Sequence, residues 1–97
     1  VGNTKVKKTN YDLAINTQVG IELNIIGMRV EEAKNNLIKY LDNCRLKHLS
    51  QVRIIHGFGS GALRNMVRDY LKTQKDLTFR AGGEYEGGGG STVVIFS

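Results

Sequence analysis

Val52-Arg53-Ile54-Ile55-His56-Gly57-Phe58-Gly59-Ser60-Gly61-Ala62-Leu63-Arg64 passes from a short apolar run through a glycine-rich loop into a helical pattern. Val52 to Ile55 is rich in β-branched residues and reads as a strand ending at His56. Beyond the loop, Leu63, Met66, Val67, Tyr70 and Leu71 recur every three or four residues, which is one buried face of a helix. Strand, glycine turn and helix in that order form the building unit of an α/β sheet.

The flanks extend the same alternation. Upstream, from about Val19, Ile21, Leu23 and Ile25 alternate with Glu22 and Asn24, and Ile26 follows. This predicts a largely buried strand, ended by Gly27. Val30, Ala33, Leu37, Leu41 and Cys44 then mark the inner face of a first helix, with Glu31 and Glu32 at its start and Arg45 and Lys47 at its end, as the helix dipole prefers. Downstream, Leu77 to Ala81 and Thr92 to Phe96 read as strands separated by a loop holding Gly82, Gly83 and Gly87 to Gly90. The order β-α-β-α-β-β predicts an α+β fold, a two-layer sandwich with both helices on one face of a four-stranded mixed sheet, because β-α-β crossovers are right-handed. The stretch from Val1 to Gln18 is polar, so residues 1–19 read as an arm or linker and residues 20–97 as the domain.

The totals agree with one small domain: 97 residues, of which 40% are hydrophobic and 24% charged. No apolar run approaches the roughly 20 residues that span a bilayer, so no membrane partner is expected. No charged stretch followed by an apolar one opens the chain, so no secretory signal is expected. Cys44 is the sole cysteine and cannot form an internal disulfide, which fits a reducing, cytoplasmic setting. The formal charge of +5 suits either plain solubility or a polyanionic partner.

Two readings attach to the loop. Left-handed backbone at a tight turn would require a glycine; three glycines at alternate positions, Gly57, Gly59 and Gly61, also let backbone N–H groups approach a phosphate at a helix start. Phe58 and Ser60 belong to the same loop. The pattern G-x-G-x-x-A is present, but no acid ends the next strand and no Walker lysine follows, so neither a dinucleotide nor an NTP loop is expected. His56, at the carboxyl end of a strand, suits proton transfer, phosphate contact or metal ligation, and equally suits a hydrogen-bonded role in shaping the loop. Arg64, Arg68 and Lys72 form an i, i+4, i+8 stripe that either tracks phosphates or faces solvent, and Arg29 and Arg80 could extend it. The second glycine loop, lacking apolar anchors, predicts a mobile flap on which Tyr85 could stack against a base. Cys44, on an apolar helix face, reads as core, and His48 as inert.

The segments Leu23-Asn24-Ile25-Ile26-Gly27-Met28-Arg29-Val30-Glu31-Glu32-Ala33 and His56-Gly57-Phe58-Gly59-Ser60-Gly61-Ala62-Leu63-Arg64 together resemble the small MutS-related (Smr) domain, which pairs L-D-x-H or L-D-L-R before a glycine with H-G-x-G-x-G after the second strand. The resemblance runs from about Gly20 to Phe96 and is strongest to the domain attached to a bacterial MutS-family ATPase. It implies a fold similar to the C-terminal domain of translation initiation factor three. It also implies binding and nicking of DNA, RNA cleavage in some members, and roles in recombination or ribosome rescue. The implied functional position is His56. Two positions depart from the pattern: Asn24 stands for aspartate and Ile26 for histidine or arginine.

Three functions therefore stand side by side. One is an endonuclease acting on branched or structured DNA. His56, with Glu22 and Asn24 as further candidates, would serve catalysis, and Gly57, Phe58, Gly59, Ser60, Gly61, Arg29, Arg64, Arg68 and Arg80 would hold the nucleic acid. Mg²⁺ or Mn²⁺ is its candidate cofactor, for which Glu22, Glu84 and Glu86 are the available carboxylates. The second is a non-catalytic module for DNA, RNA or the ribosome, and the third a protein-interaction domain.

Overall fold

The computed structural model describes residues 21–97; the arm expected at residues 1–19 lies outside them. The elements follow the order β1 (Glu22–Asn24), α1 (Val30–Leu46), β2 (Gln51–Ile55), α2 (Ala62–Lys72), β3 (Leu77–Ala81) and β4 (Ser91–Phe96), with two short 3-10 turns, Glu84–Glu86 and Gly88–Gly90, before β4. The strands form one sheet in the order β1-β2-β4-β3. β1 and β2 run parallel, and β4 is antiparallel to both β2 and β3. The last strand thus inserts between β2 and β3, so the sheet is mixed and the two β-branched runs occupy its centre.

One core lies between the helices and one face of the sheet. Ala33, Leu37, Leu41 and Cys44 of α1 and Val67 and Leu71 of α2 meet Ile25, Val52, Ile54, Leu77 and Val94 there. Burial of such apolar side chains stabilises the fold by about 1.5–3 kcal/mol each. Cys44 is core, as its spacing predicts, and burial raises its thiol pKa. The opposite face carries Arg53, Val93 and Arg80 side by side across three strands. Val93 is fully buried there. Arg53 pairs with Glu22 at 2.6 Å and Arg80 with Glu86 at 2.7 Å.

The first strand differs from expectation. It is three residues long and sits at the sheet edge, so only Ile25 just beyond it is fully buried, and Ile26 is 56% exposed. The chain turns sharply there: Met28 N–H bonds to Ile25 O at 3.1 Å, and Gly27 takes the left-handed φ of 83°. That turn swings Ile26 and Val30 off the core. Val30, which the helical spacing assigns to the buried face, is therefore exposed.

The second glycine loop is more extensively bonded than its composition suggests. Glu86 and Gly88 N–H both bond to Gly83 O at 2.9 Å, and Ser91 Oγ donates to Glu86 O. A Cβ added at Gly82 would fall 2.0 Å from Ser91 Oγ, so the glycine there permits close packing. Backbone and Ser91 hydroxyl contacts replace the missing apolar anchors.

Candidate functional site

The carboxyl ends of β1 and β2 open on a cleft of about 500 Å³ lined by Ile26–Val30 and His56–Arg64. This is where open α/β sheets present ligand-binding loops. Its wall is the glycine loop. Gly57, Gly59 and Gly61 have φ of 76°, 25° and 86°, all in the left-handed region. Backbone conformation thus accounts for all three glycines, and their spacing alone does not argue for an anion. The stronger signal is what the loop leaves unbonded. The N–H groups of Phe58, Gly59, Ser60, Gly61, Leu63 and Arg64 have no hydrogen-bond partner among the described residues. They gather at the positive end of the α2 dipole, an arrangement that favours an anion.

His56 forms the floor. It is 4% exposed, and its ring belongs to the helix side of the sheet. Nδ1 lies 2.9 Å from Gly57 O and Nε2 lies 2.9 Å from Thr92 Oγ1. A carbonyl only accepts, so Nδ1 carries the proton and the neutral ring's Nε2 accepts from the Thr92 hydroxyl. Burial pushes the imidazole pKa below its usual range; Arg68 and Arg64 push the same way against the Gly57 bond. His56 N–H and Gly57 N–H both donate to Gly90 O, at 3.0 and 2.9 Å, which ties the two glycine loops together.

The arginines divide into two sets. Arg45, Arg53 and Arg80 are ion-paired to carboxylates. Arg29, Arg64 and Arg68 have no ion pair among the described residues, and two of these three stand at the cleft. Arg29 and Arg64 line it. The Arg64 guanidinium lies close enough to Gly61 that a Cβ there would meet it at 3.3 Å. Arg68, one turn further along α2, has a buried Nε with no hydrogen-bond partner.

Other candidates fall elsewhere. Arg80 lies on the far face of the sheet, held by both Glu86 oxygens, at 2.7 and 2.9 Å. Glu22 is paired with Arg53 and does not line the cleft, and neither does Asn24. Asn24 Oδ1 accepts from Ile26 N–H at 2.9 Å and so shapes the turn that ends β1. Tyr85 is 90% exposed but lies outside the cleft lining. Among the described residues, no three His, Cys, Asp or Glu side chains come together as metal ligands. Glu22 and Glu86, two of the three candidate carboxylates, are engaged by arginines. The described donors therefore do not fit a site in which the protein alone holds Mg²⁺ or Mn²⁺. Ile26 packs beside Gly57 at the cleft, whereas the sequence reading carried a largely buried strand through it.

Comparison with known proteins places these features in a family. The family described as "Smr domain" matches residues 23–97. "Endonuclease MutS2" of Lachnoclostridium phytofermentans is 45% identical over 94 residues, covering 96% of this chain and 12% of that protein. "Endonuclease MutS2" of Exiguobacterium sibiricum is 38% identical, covering 94% of this chain and 12% of that protein. The chain thus spans about an eighth of the length of these curated bacterial relatives. The crystal structure of the Smr domain of Thermus thermophilus MutS2 superposes with a TM-score of 0.75 at 36% identity, over 78% of this chain and 96% of that one. YdaL, a stand-alone small MutS-related protein from Escherichia coli, shares the fold with a TM-score of 0.76 at 20% identity, over 91% of this chain and 76% of that one. No helix among the described residues is long and apolar enough to cross a membrane.

Proposed function

The chain belongs to the Smr domain family, and from that membership we propose that it docks on the phosphodiester backbone of branched or structured DNA as one module of a larger MutS-family protein. The observation that carries this reading is the segregation of the arginines. Of the three without carboxylate partners, Arg29 and Arg64 line the cleft beside a glycine loop with unbonded N–H groups at a helix start, and Arg68 lies one turn further along that helix. Arg64 supplies charge and a fork of donors, while the loop supplies fixed dipoles; together they suit the oxygens of a phosphate. The sequence carries no base-reading motif, so recognition rests on backbone and shape. Binding should weaken steeply as salt rises, because each neutralised phosphate releases counterions. Affinity for a four-way junction that stays constant between about 50 and 200 mM salt would remove phosphate contacts as the basis of binding.

Hydrolysis is the second reading, supported by the endonuclease names of the relatives and by His56, the one imidazole in the cleft. To take a proton from an attacking water, Nε2 must first give up the Thr92 hydroxyl. The free-state ring is therefore a loop-forming group that substrate has to recruit. RNA or the ribosome is the alternative polyanion for the same cleft. Incubation of supercoiled plasmid, a four-way junction and a structured RNA with the chain and with His56→Ala, in the presence and absence of Mg²⁺ or Mn²⁺, separates the readings. Cleavage lost in the variant supports hydrolysis through His56. Salt-sensitive binding without product supports a purely binding role.

A further inference from the structure

Resting on the reading of the cleft as a nucleic-acid site, we infer that Phe58 is a stacking platform for an unpaired base, which makes single-stranded or locally opened nucleic acid the preferred ligand over continuous duplex. Phe58 is 74% exposed at the middle of the loop, and Ile26 and Val30 extend the apolar surface along the same cleft. The ring is held in place despite its exposure. A Cβ built on Gly90 would come within 3.0 Å of Phe58 Cε2, and one on Gly89 within 3.4 Å of Cε1. The backbone of the second glycine loop thus supports the ring, and Gly90 is itself fastened to His56 and Gly57. An aromatic group fixed before binding loses little rotamer freedom when it stacks.

Next to this ring stand the unbonded N–H groups of Phe58 to Gly61 and the guanidinium of Arg64. A π face beside an anion-binding loop matches the two chemistries of one nucleotide, a flat base and its phosphate. Inside a duplex both faces of every base are already stacked, so the ring finds a partner only where a base is unpaired or terminal. A protein partner could cover the apolar patch, but it would leave the unpaired arginines and loop N–H groups unmatched. The pocket therefore favours a nucleotide.

The test is fluorescence anisotropy at fixed salt with labelled oligothymidylate, oligouridylate and a blunt duplex, each about twenty residues long. The parent chain is compared with Phe58→Ala and Phe58→Trp, the latter introducing the chain's only tryptophan. The parent should prefer the single strands. Phe58→Ala should lose about tenfold on them and little on duplex. Phe58→Trp should retain affinity and show quenched emission when a single strand binds. The two single strands reveal whether the sugar matters. Equal loss by Phe58→Ala on duplex and single strands, or unquenched tryptophan in a complex that forms, overturns the inference and leaves the backbone-binding reading standing. A parent that binds none of the three probes overturns both.

Discussion

Thr92 Oγ1 donates a hydrogen bond of 2.9 Å to His56 Nε2, joining the start of β4 to the end of β2 beneath the glycine loop. Both residues are buried, and the second ring nitrogen is held by Gly57 O. The imidazole is thus a brace between two strands and the loop they support. Loss of either partner leaves a buried polar atom unsatisfied, which costs about 1–3 kcal/mol.

The first prediction follows from the neutral state of that ring. Its folded pKa lies below the usual value of 6.5, so the unfolded chain binds more protons between the two values. Stability from this group is full above about pH 6.5 and falls as pH drops toward the folded pKa. The Asp76 carboxylate, held below its usual range by Arg45, and that of Glu86, lowered to about 2 by Arg80, lose their contribution only in more acidic solution. Urea midpoints should therefore fall between about pH 7.5 and 5.5 in the parent. His56→Gln should be less stable overall, with a flatter pH dependence in this window. An equally steep variant would assign the dependence to another group.

The second concerns His48, which ends α1 with a left-handed φ of 58°. His48 N–H bonds to Arg45 O at 3.1 Å and Leu49 N–H to Cys44 O at 3.0 Å, the paired bonds of a Schellman cap. Glycine suits that position without a Cβ penalty. His48→Gly should raise stability by about 0.5–1 kcal/mol, a rise of roughly 2–8 °C in Tm by calorimetry. An unchanged or lowered Tm would mean that His48 makes compensating contacts.

The order of elements and most of the core were legible because the periodicities of α1, α2 and β2 are regular and each matches the face it buries. Ile26 and Val30 misled for related reasons: a strand carried through Ile26 and a helical spacing begun at Val30 both overlook that the edge strand ends at Asn24, where an Asx-type bond redirects the chain. Arg80 misled because sequence gives its strand but not its partner: Glu86 lies six residues on, across a turn that composition depicts as loose. His56 and its loop were correctly brought together, yet whether the ring was free or braced depended on Thr92, contributed by a strand distant in sequence.

The third prediction uses the two classes of arginine. Arg64→Ala should weaken binding to DNA of any sequence and lower the magnitude of the salt slope by about one. Arg80→Ala should leave that slope unchanged, because its guanidinium is committed to Glu86 on the other face of the sheet. Equal effects of the two substitutions in filter-binding or anisotropy titrations would contradict the proposed orientation.

The fourth compares glycines within the two loops. Gly59 has open space where a Cβ would go but a φ of 25°, so Gly59→Ala should cost about 1–2 kcal/mol from backbone strain alone. At Gly82 the added carbon would meet Ser91 Oγ at 2.0 Å and Gly88 O at 2.8 Å. That overlap forces β4 from the loop, and Gly82→Ala should cost about 3 kcal/mol or more. Denaturant midpoints with unchanged m-values check both; a milder effect at Gly82 would mean that the loop repacks freely.

The last prediction tests the two positions where this chain departs from its family pattern, Ile26 first. Ile26 is 56% exposed, and its side chain lies over Gly57 at the mouth of the cleft. A larger polar side chain can leave for solvent there without opening a hole in the core, so Ile26→Arg should fold with stability within about 0.5 kcal/mol of the parent. The new guanidinium would join Arg29 and Arg64 around the loop and reach one further phosphate. The salt slope should steepen by about one, with tighter binding at low ionic strength. Asn24→Asp serves as its companion: either oxygen can accept the Ile26 N–H, so the turn should survive and the slope should not increase. If Ile26→Arg leaves both affinity and slope unchanged while the protein remains folded, the mouth of this cleft does not face the nucleic-acid backbone.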